Sequence, residues 1–278
     1  GKSIKSAWNK EKEPNQWKAL SDIIAERNPE KIGVNYSKHF PLADGLVKTD
    51  HEELTQNLPD SLTSKLVSAE KLAVAWIETR TEKEIQLFEK LVKITHDIID
   101  EAFSNKVITP GETTTDDVVW WMRQKVTDLG LETWFHPTVD IQRNKEALKS
   151  HIESFSKSKE DKAIQKGDLL HCDFGITYIG LNTDCQQHAY VLKDDESKVP
   201  QYLVNAFKKG NQLQDILTKN MKEGSTGNEI LLSSLTEAKQ NGLRPSIYTH
   251  PLGKYGHSAG TTIGMWDSQA GVPFRGDY

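Results

Sequence analysis

Between residues 167 and 192 the chain reads Gly-Asp-Leu-Leu-His-Cys-Asp-Phe-Gly-Ile-Thr, then a turn at Tyr178-Ile179-Gly180, then Leu-Asn-Thr-Asp-Cys-Gln-Gln-His-Ala-Tyr-Val-Leu. Two apolar runs around a Gly-containing turn predict a β-hairpin. Asp173 and Asp184 sit on its two arms, and the expected register sets them directly opposite each other, with Cys172 opposite Cys185. Opposed residues share a face and neighbours alternate, so both aspartates fall on one face and both cysteines on the other. Like charges facing across a sheet destabilise it, and carboxylates taken out of water lose solvation. Two resolutions stay open on these residues alone. One is a divalent cation between the carboxylates, which suits hard oxygen ligands. The other is that no ion is held, with a protonated or water-bridged acid pair or a register in which one Asp faces solvent.

The second chemically loaded stretch is Tyr248-Thr-His250-Pro-Leu-Gly-Lys-Tyr-Gly-His257-Ser-Ala-Gly-Thr-Thr-Ile-Gly264. Its histidines lie seven apart, which is no helical metal pair, and its glycines predict a loop in which backbone can approach a ligand closely.

The rest of the chain supplies a frame. Ile85, Phe88, Leu91, Val92, Thr95, Ile98, Ile99, Ala102 and Phe103 form one helical stripe, opened by a Thr81/Glu84 capping box. A domain boundary is expected just before it, near residue 78. Upstream, Trp17, Leu20, Ile23 and Ile24 predict a helix closed by Asn28-Pro29, and residues 31–36 alternate like a strand. Downstream, a pattern recurs: Gly111 with Thr113 and Thr114, a helix through Val118, Trp121, Met122 and Val126, Gly130, and a strand ending near His136. Its second copy is Gly224 with Thr226, a helix through Ile230, Leu231, Leu235 and Ala238, Gly242, and a strand ending at His250. Two such copies imply a pseudo-twofold domain with a site between its halves. Residues 145–166 read as a polar insert, loop or exposed helix.

Composition narrows the function. A net charge of -5 speaks against a nucleic-acid partner, and no apolar run approaches the roughly 18 residues that span a bilayer. Two cysteines are too few for a disulfide scaffold or a structural zinc site, and reduced, packed thiols are expected. The first residues, Gly1-Lys2-Ser3-Ile4, show neither a signal peptide nor an initiator Met, so the end reads as processed or cut and the compartment is left open between cytoplasm and periplasm.

Taken together, the Asp-x(10)-Asp hairpin, the His-x(6)-His loop and the helix, Pro-Gly-x-Thr turn, helix, Gly, strand order of residues 81–142 resemble the pita-bread metallopeptidases: methionine aminopeptidase, aminopeptidase P, prolidase and their metal-free cousin creatinase. The resemblance covers about residues 78–278. Residues 1–77 look like part of the N-terminal domain of the aminopeptidase P, prolidase and creatinase branch. The implied fold is α+β: a pita-bread catalytic domain over 78–278, incomplete at its C-terminus, preceded by a partial α/β domain over 1–77.

That resemblance implies Asp173, Asp184 and His250 as metal ligands. His257 is implied as a catalytic residue facing the scissile peptide rather than a ligand, and a substrate-side histidine is sought at His151, with His136 as its rival. The implied cofactor is two divalent ions, Mn2+ by family habit, with Co2+, Zn2+ or Fe2+ as alternatives. These would activate a bridging water and polarise the scissile carbonyl. The implied substrate is a peptide with proline in second position, the implied activity a Xaa-Pro aminopeptidase, and a homodimer is an open assembly. A dipeptidase of the prolidase type, a non-catalytic peptide-binding module and a metal-free creatinase-like hydrolase are the rivals. One departure stands out. The family places two Glu ligands after the His loop, whereas no Glu follows His250 here, so the chain is expected to be cut at both ends and inactive as it stands.

Overall fold

The computed structural model describes residues 6–143, 162–254 and 256–278. They form two compact units, Gly1–Glu78 and Thr79–Tyr278.

In the first unit, helix α1 (Gln16–Arg27) begins where the Asn15 side chain accepts the amides of Trp17 and Lys18, and ends at Asn28 in the left-handed conformation. Strand β1 (Ile32–Val34) pairs in parallel with β2 (Leu66–Ser68), Ile32 beside Leu66. Helices α2 (Lys48–Asn57) and α3 (Asp60–Thr63) lie between them in the chain, and α4 (Glu70–Glu78) follows. Leu54, Leu58 and Leu62 form the core with Trp17, Ile24, Ile32, Val34 and Leu66. Leu20, placed on the buried stripe by sequence, faces outward.

The second unit opens with α5 (Glu82–Ala102). Its Thr81/Glu84 capping box forms as expected, and Leu91, Thr95, Ile98, Ile99 and Ala102 are its buried stripe. Helix α6 (Thr115–Asp128) has a capping box between Thr114 and Asp117. Four short strands and two longer ones follow: β3 (Glu132–Thr133), β4 (Thr138–Gln142), β5 (Leu169–Phe174), β6 (Ile176–Tyr178), β7 (Leu181–Asn182) and β8 (Cys185–Tyr190). Beyond them come α7 (Gln201–Asn220), α8 (Gly227–Gln240), β9 (Leu252–Gly253) and β10 (Gly256–His257).

The two copies of the repeat match in backbone detail. Helices α6 and α8 each have 14 residues, and α8 carries its own capping box, Thr226 with Glu229. The turn glycines Gly111 and Gly224 adopt φ of 89 and 83, and the closing glycines Gly130 and Gly242 adopt 67 and 73. The copies diverge after that. The strand expected to end at His250 is absent, since residues 243–250 form no ladder. Thr249 N donates to Ile263 O at 3.0 Å, but the Gln269 side chain satisfies both the N–H and the C=O of Ile247, taking the groups a neighbouring strand would need.

The hairpin is built by β5 to β8, and it divides between two sheets: β4-β5-β8 and β3-β6-β7. Its turn is Ile179-Gly180, both at positive φ (50 and 74), the two-residue geometry whose twist matches the flanking strands. Tyr178 therefore pairs with Leu181, and the register runs on to Phe174 opposite Cys185 and Asp173 opposite Gln186. The expected direct pairing of Asp173 with Asp184 is corrected by two residues, because Gly180 takes the second turn position that the expected register gave to Ile179. The shift is even, so faces are preserved. Val139, Ile141, Leu170, Cys172, Phe174 and Cys185 point into the core, while Thr138, Asp140, His171, Asp173, Gln186 and His188 share the other face. Both cysteines are free thiols, diagonal rather than opposed, and burial drives the Cys172 thiol up to about 12.

Candidate metal centre

Asp184 lies at the break between the two sheets, after β7 and before β8. The ladder is interrupted one residue before it. Thr183 N donates to Ile176 O at 2.9 Å, but Ile176 N donates to the Thr183 hydroxyl (3.0 Å) instead of the Thr183 carbonyl. That carbonyl accepts the indole N–H of Trp134 at 2.6 Å. Opposite the break stands Gly175, where a Cβ would meet Thr183 O at 2.1 Å and Trp134 Nε1 at 2.4 Å, so only glycine fits.

The break turns Asp184 toward the His loop. Its Oδ2 lies 3.4 Å from His250 Nε2, and the rings of His250 and His257 are 3.8 Å apart between centroids. Asp184, His250 and His257 each offer a ligand atom within 4.8 Å of the others. Two bonds to the loop hold it there: Arg80 Nη2, just ahead of α5, donates to Leu252 O at 2.7 Å, and Asn182 Nδ2 of the hairpin donates to Gly253 O.

Electrostatics follow from this crowding. Burial and the neighbouring Asp184 charge push the Asp173 carboxyl up to about 6. Burial also opposes ionisation of Asp184, but its bonds with His250 and Asp173 outweigh that and hold it below the ordinary carboxylate range. The Asp184 carboxylate in turn raises His250 against the effect of its burial, whereas burial and the His250 charge lower His257. Asp173 Oδ1 is buried without any hydrogen-bond partner. A carboxylate pair, an orphaned carboxylate oxygen and converging imidazoles form a donor set that fits a divalent cation of borderline hardness.

The sequence-derived residues fare differently. Asp184 and His250 converge, and Asp173 stands diagonal to Asp184 on the same sheet face. His257, assigned a non-ligand role, is close enough to offer a ligand atom. His151 lies outside the described residues. His136, the rival substrate-side histidine, is exposed, with Nδ1 3.3 Å from Arg123 Nη1 and its ring against Trp120.

Sequence reasoning assigned no role to several residues bordering the centre. His171 Nε2 lies 3.0 Å from Gln186 Oε1, and Gln186 Nε2 reaches toward Asp173 Oδ2 at 3.5 Å. His171 also faces Asp140, which raises it despite burial, and His188, 5.0 Å away. The alternation of Leu169, His171 and Asp173 along β5 was the available signal.

A family model for metallopeptidase family M24 matches residues 86–276. A sequence search of curated proteins finds no match. Solved structures with a similar fold include an X-Pro aminopeptidase from Thermotoga maritima (15% identity, TM-score 0.58, covering 93% of this chain and 67% of that one). A dipeptidase from Pyrococcus horikoshii (16%, 0.56, 91% and 65%) and a prolidase from Pyrococcus furiosus (20%, 0.51, 89% and 67%) are similar in the same way. The chain spans about two thirds of the length of these structures.

Proposed function

The chain belongs to metallopeptidase family M24 and has its pita-bread fold, and from that premise we propose that it serves a Xaa-Pro aminopeptidase, cleaving the bond before a proline second from a peptide N-terminus. The observation that carries the proposal is the convergence of Asp184, His250 and His257 beside a half-buried Asp173 with one unpartnered oxygen. In this reading Asp173, Asp184 and His250 hold two divalent ions, Mn2+ foremost. Such ions supply Lewis acidity toward the scissile carbonyl and acidify water at neutral pH.

The protein's own groups do the rest. His250 Nδ1 faces the Pro251 carbonyl at 3.4 Å, which orients the imidazole and leaves Nε2 for the centre beside Asp184 Oδ2. His257, more exposed than its neighbours and lowered toward the neutral form, faces the substrate and donates a hydrogen bond to the carbonyl oxygen as charge develops there. His151 is assigned as the second substrate-side histidine, residues 1–77 as a creatinase-type N-terminal domain and 78–278 as the catalytic domain. Among the described residues no helix is long and apolar enough to cross a membrane.

The test is Mn2+-dependent hydrolysis of Xaa-Pro tripeptides and Xaa-Pro dipeptides by the protein expressed from its native gene. Asp184→Ala should abolish turnover and Asp267→Ala, outside the centre, should not. Equal losses from both would overturn the ligand assignment, and cleavage confined to dipeptides would replace the aminopeptidase by a prolidase.

A further inference from the structure

We infer that Trp134 is a positioning residue that locks the hairpin arm and the histidine arm of the centre to each other. The inference rests on the metal reading of the same site, and three contacts carry it. First, the Trp134 indole N–H takes the Thr183 carbonyl at 2.6 Å, and Ile176 N bonds the Thr183 hydroxyl in its place. That exchange breaks the ladder immediately before Asp184, so the strand is released to turn its carboxylate toward His250 rather than continuing flat across Gly175. Second, the other side of the indole lies on Gly256, where a Cβ would come within 2.3 Å of two ring carbons. Third, the ring meets His257 edge-on at 5.6 Å between centroids and packs against Phe135 at 4.5 Å, which holds it from behind. One rigid side chain thus fixes the residue before Asp184 and the residue before His257.

The arrangement explains two glycines with one cause. Gly175 leaves room for the indole N–H and the Thr183 carbonyl, and Gly256, at φ 85, leaves room for the six-membered ring of the indole. Removing the indole should therefore loosen both arms while leaving the α5/α6 core, which Trp134 does not join, intact.

The experiment measures Co2+ affinity of the full chain by chelator competition, together with NMR of 13C-labelled histidine in metal-free protein. Variants are Trp134→Phe, which keeps a ring and loses the N–H, Trp134→Leu, which loses both, and Gly256→Ala in each background. Trp134→Phe should weaken Co2+ binding about 10-fold and Trp134→Leu towards 100-fold, the range typical of groups that orient metal ligands. Both variants should keep a cooperative melting transition, and both should move the His257 and His250 resonances without metal present. Gly256→Ala should weaken binding in the wild type more than in Trp134→Leu, because much of its cost is the clash with the indole. Unchanged affinity and unchanged histidine resonances in Trp134→Leu, or an equal Gly256→Ala effect in both backgrounds, would overturn the inference. Co2+ binding that survives Asp184→Ala and His250→Ala would instead overturn the ligand assignment, while the metal-free resonances still judge Trp134 on their own.

Discussion

Replacing Asp173 by Asn should stabilise the metal-free protein at neutral pH and destroy its response to metal. Burial and the charge of Asp184 raise the folded-state carboxyl from 3.8 to about 6. The folded protein therefore holds this proton more tightly than the unfolded chain, and the contribution of Asp173 to stability is complete below about pH 4 and lost as pH rises through about 6. Above that, ionised Asp173 is a standing penalty. The rise corresponds to about 3 kcal/mol at 1.36 kcal/mol per pKa unit. Asp173 is only half-buried, and solvent screening reduces this to about 1–2 kcal/mol. Asn has nearly the same shape and cannot ionise, so at pH 7.5 in chelator Asp173→Asn should melt about 2–8 °C higher than wild type, taking 2–4 °C per kcal/mol for a unit of this size. At pH 4 the two should melt together. Excess Mn2+ should reverse the order at pH 7.5, because a ligand at 100 times its Kd adds about 2.7 kcal/mol to the form that binds it and the variant binds poorly. Asp184→Asn is the contrast: its carboxyl is held low in the fold, so it should lose stability at neutral pH even without metal. Scanning calorimetry at both pH values, in chelator and in Mn2+, reads all four comparisons. A metal-free Asp173→Asn less stable than wild type at pH 7.5 would refute the view that this carboxylate is strained and waiting for a cation.

Two structural predictions accompany it. Thr183→Val removes the hydroxyl that accepts Ile176 N at 3.0 Å and pairs with buried Thr95 Oγ1 at 2.7 Å, so it strands an N–H in the core; about 2–3 kcal/mol and a melting point about 5–10 °C lower are expected, against about 1 kcal/mol for Thr95→Val, which strands no backbone N–H, and equal losses in calorimetry would show that the Ile176 N–H does not depend on the Thr183 hydroxyl. Asp168, fully buried, binds Arg143 through two bonds of 2.8 and 2.9 Å and also accepts Gln165 N at 2.7 Å; Asp168→Ala should cost about 3 kcal/mol in denaturant unfolding, the low end for a broken buried pair because Arg143 keeps partial access to water, and a loss below about 1 kcal/mol would show the pair to be dispensable.

The elements with local instructions were legible in the sequence. The Thr81/Glu84 box and the 3.6-residue stripe of α5, the Asn28 stop of α1 and the paired glycines of the repeat are set by backbone chemistry within a few residues of each other. Ile85 and Leu20 show the limit, since each fits its stripe and is nonetheless exposed. The missing strand before His250 shows a second limit. Its sequence permits extension, but the side-chain amide of Gln269, 22 residues away, occupies the groups that a ladder requires, and no local pattern signals that partner.

The hairpin carries the more instructive error. Symmetry of the Cys-Asp and Asp-Cys pairs suggested a mirror register, and that register would oppose two carboxylates across a ladder. The chain avoids this opposition. Gly180 moves the turn by one position, so Asp184 faces Gly175, which has no side chain, and Asp173 faces Gln186, whose amide can donate. The carboxylates remain diagonal neighbours on one face, near enough to perturb each other without standing directly opposed. The final approach of Asp184 to the histidines is not a register effect at all, since it begins with the ladder bond that Trp134 takes from Thr183. Parity along a strand was therefore enough to choose the right face for each aspartate. The geometry of the centre depends on an indole 49 residues before the carbonyl it binds, and only the folded chain brings them together.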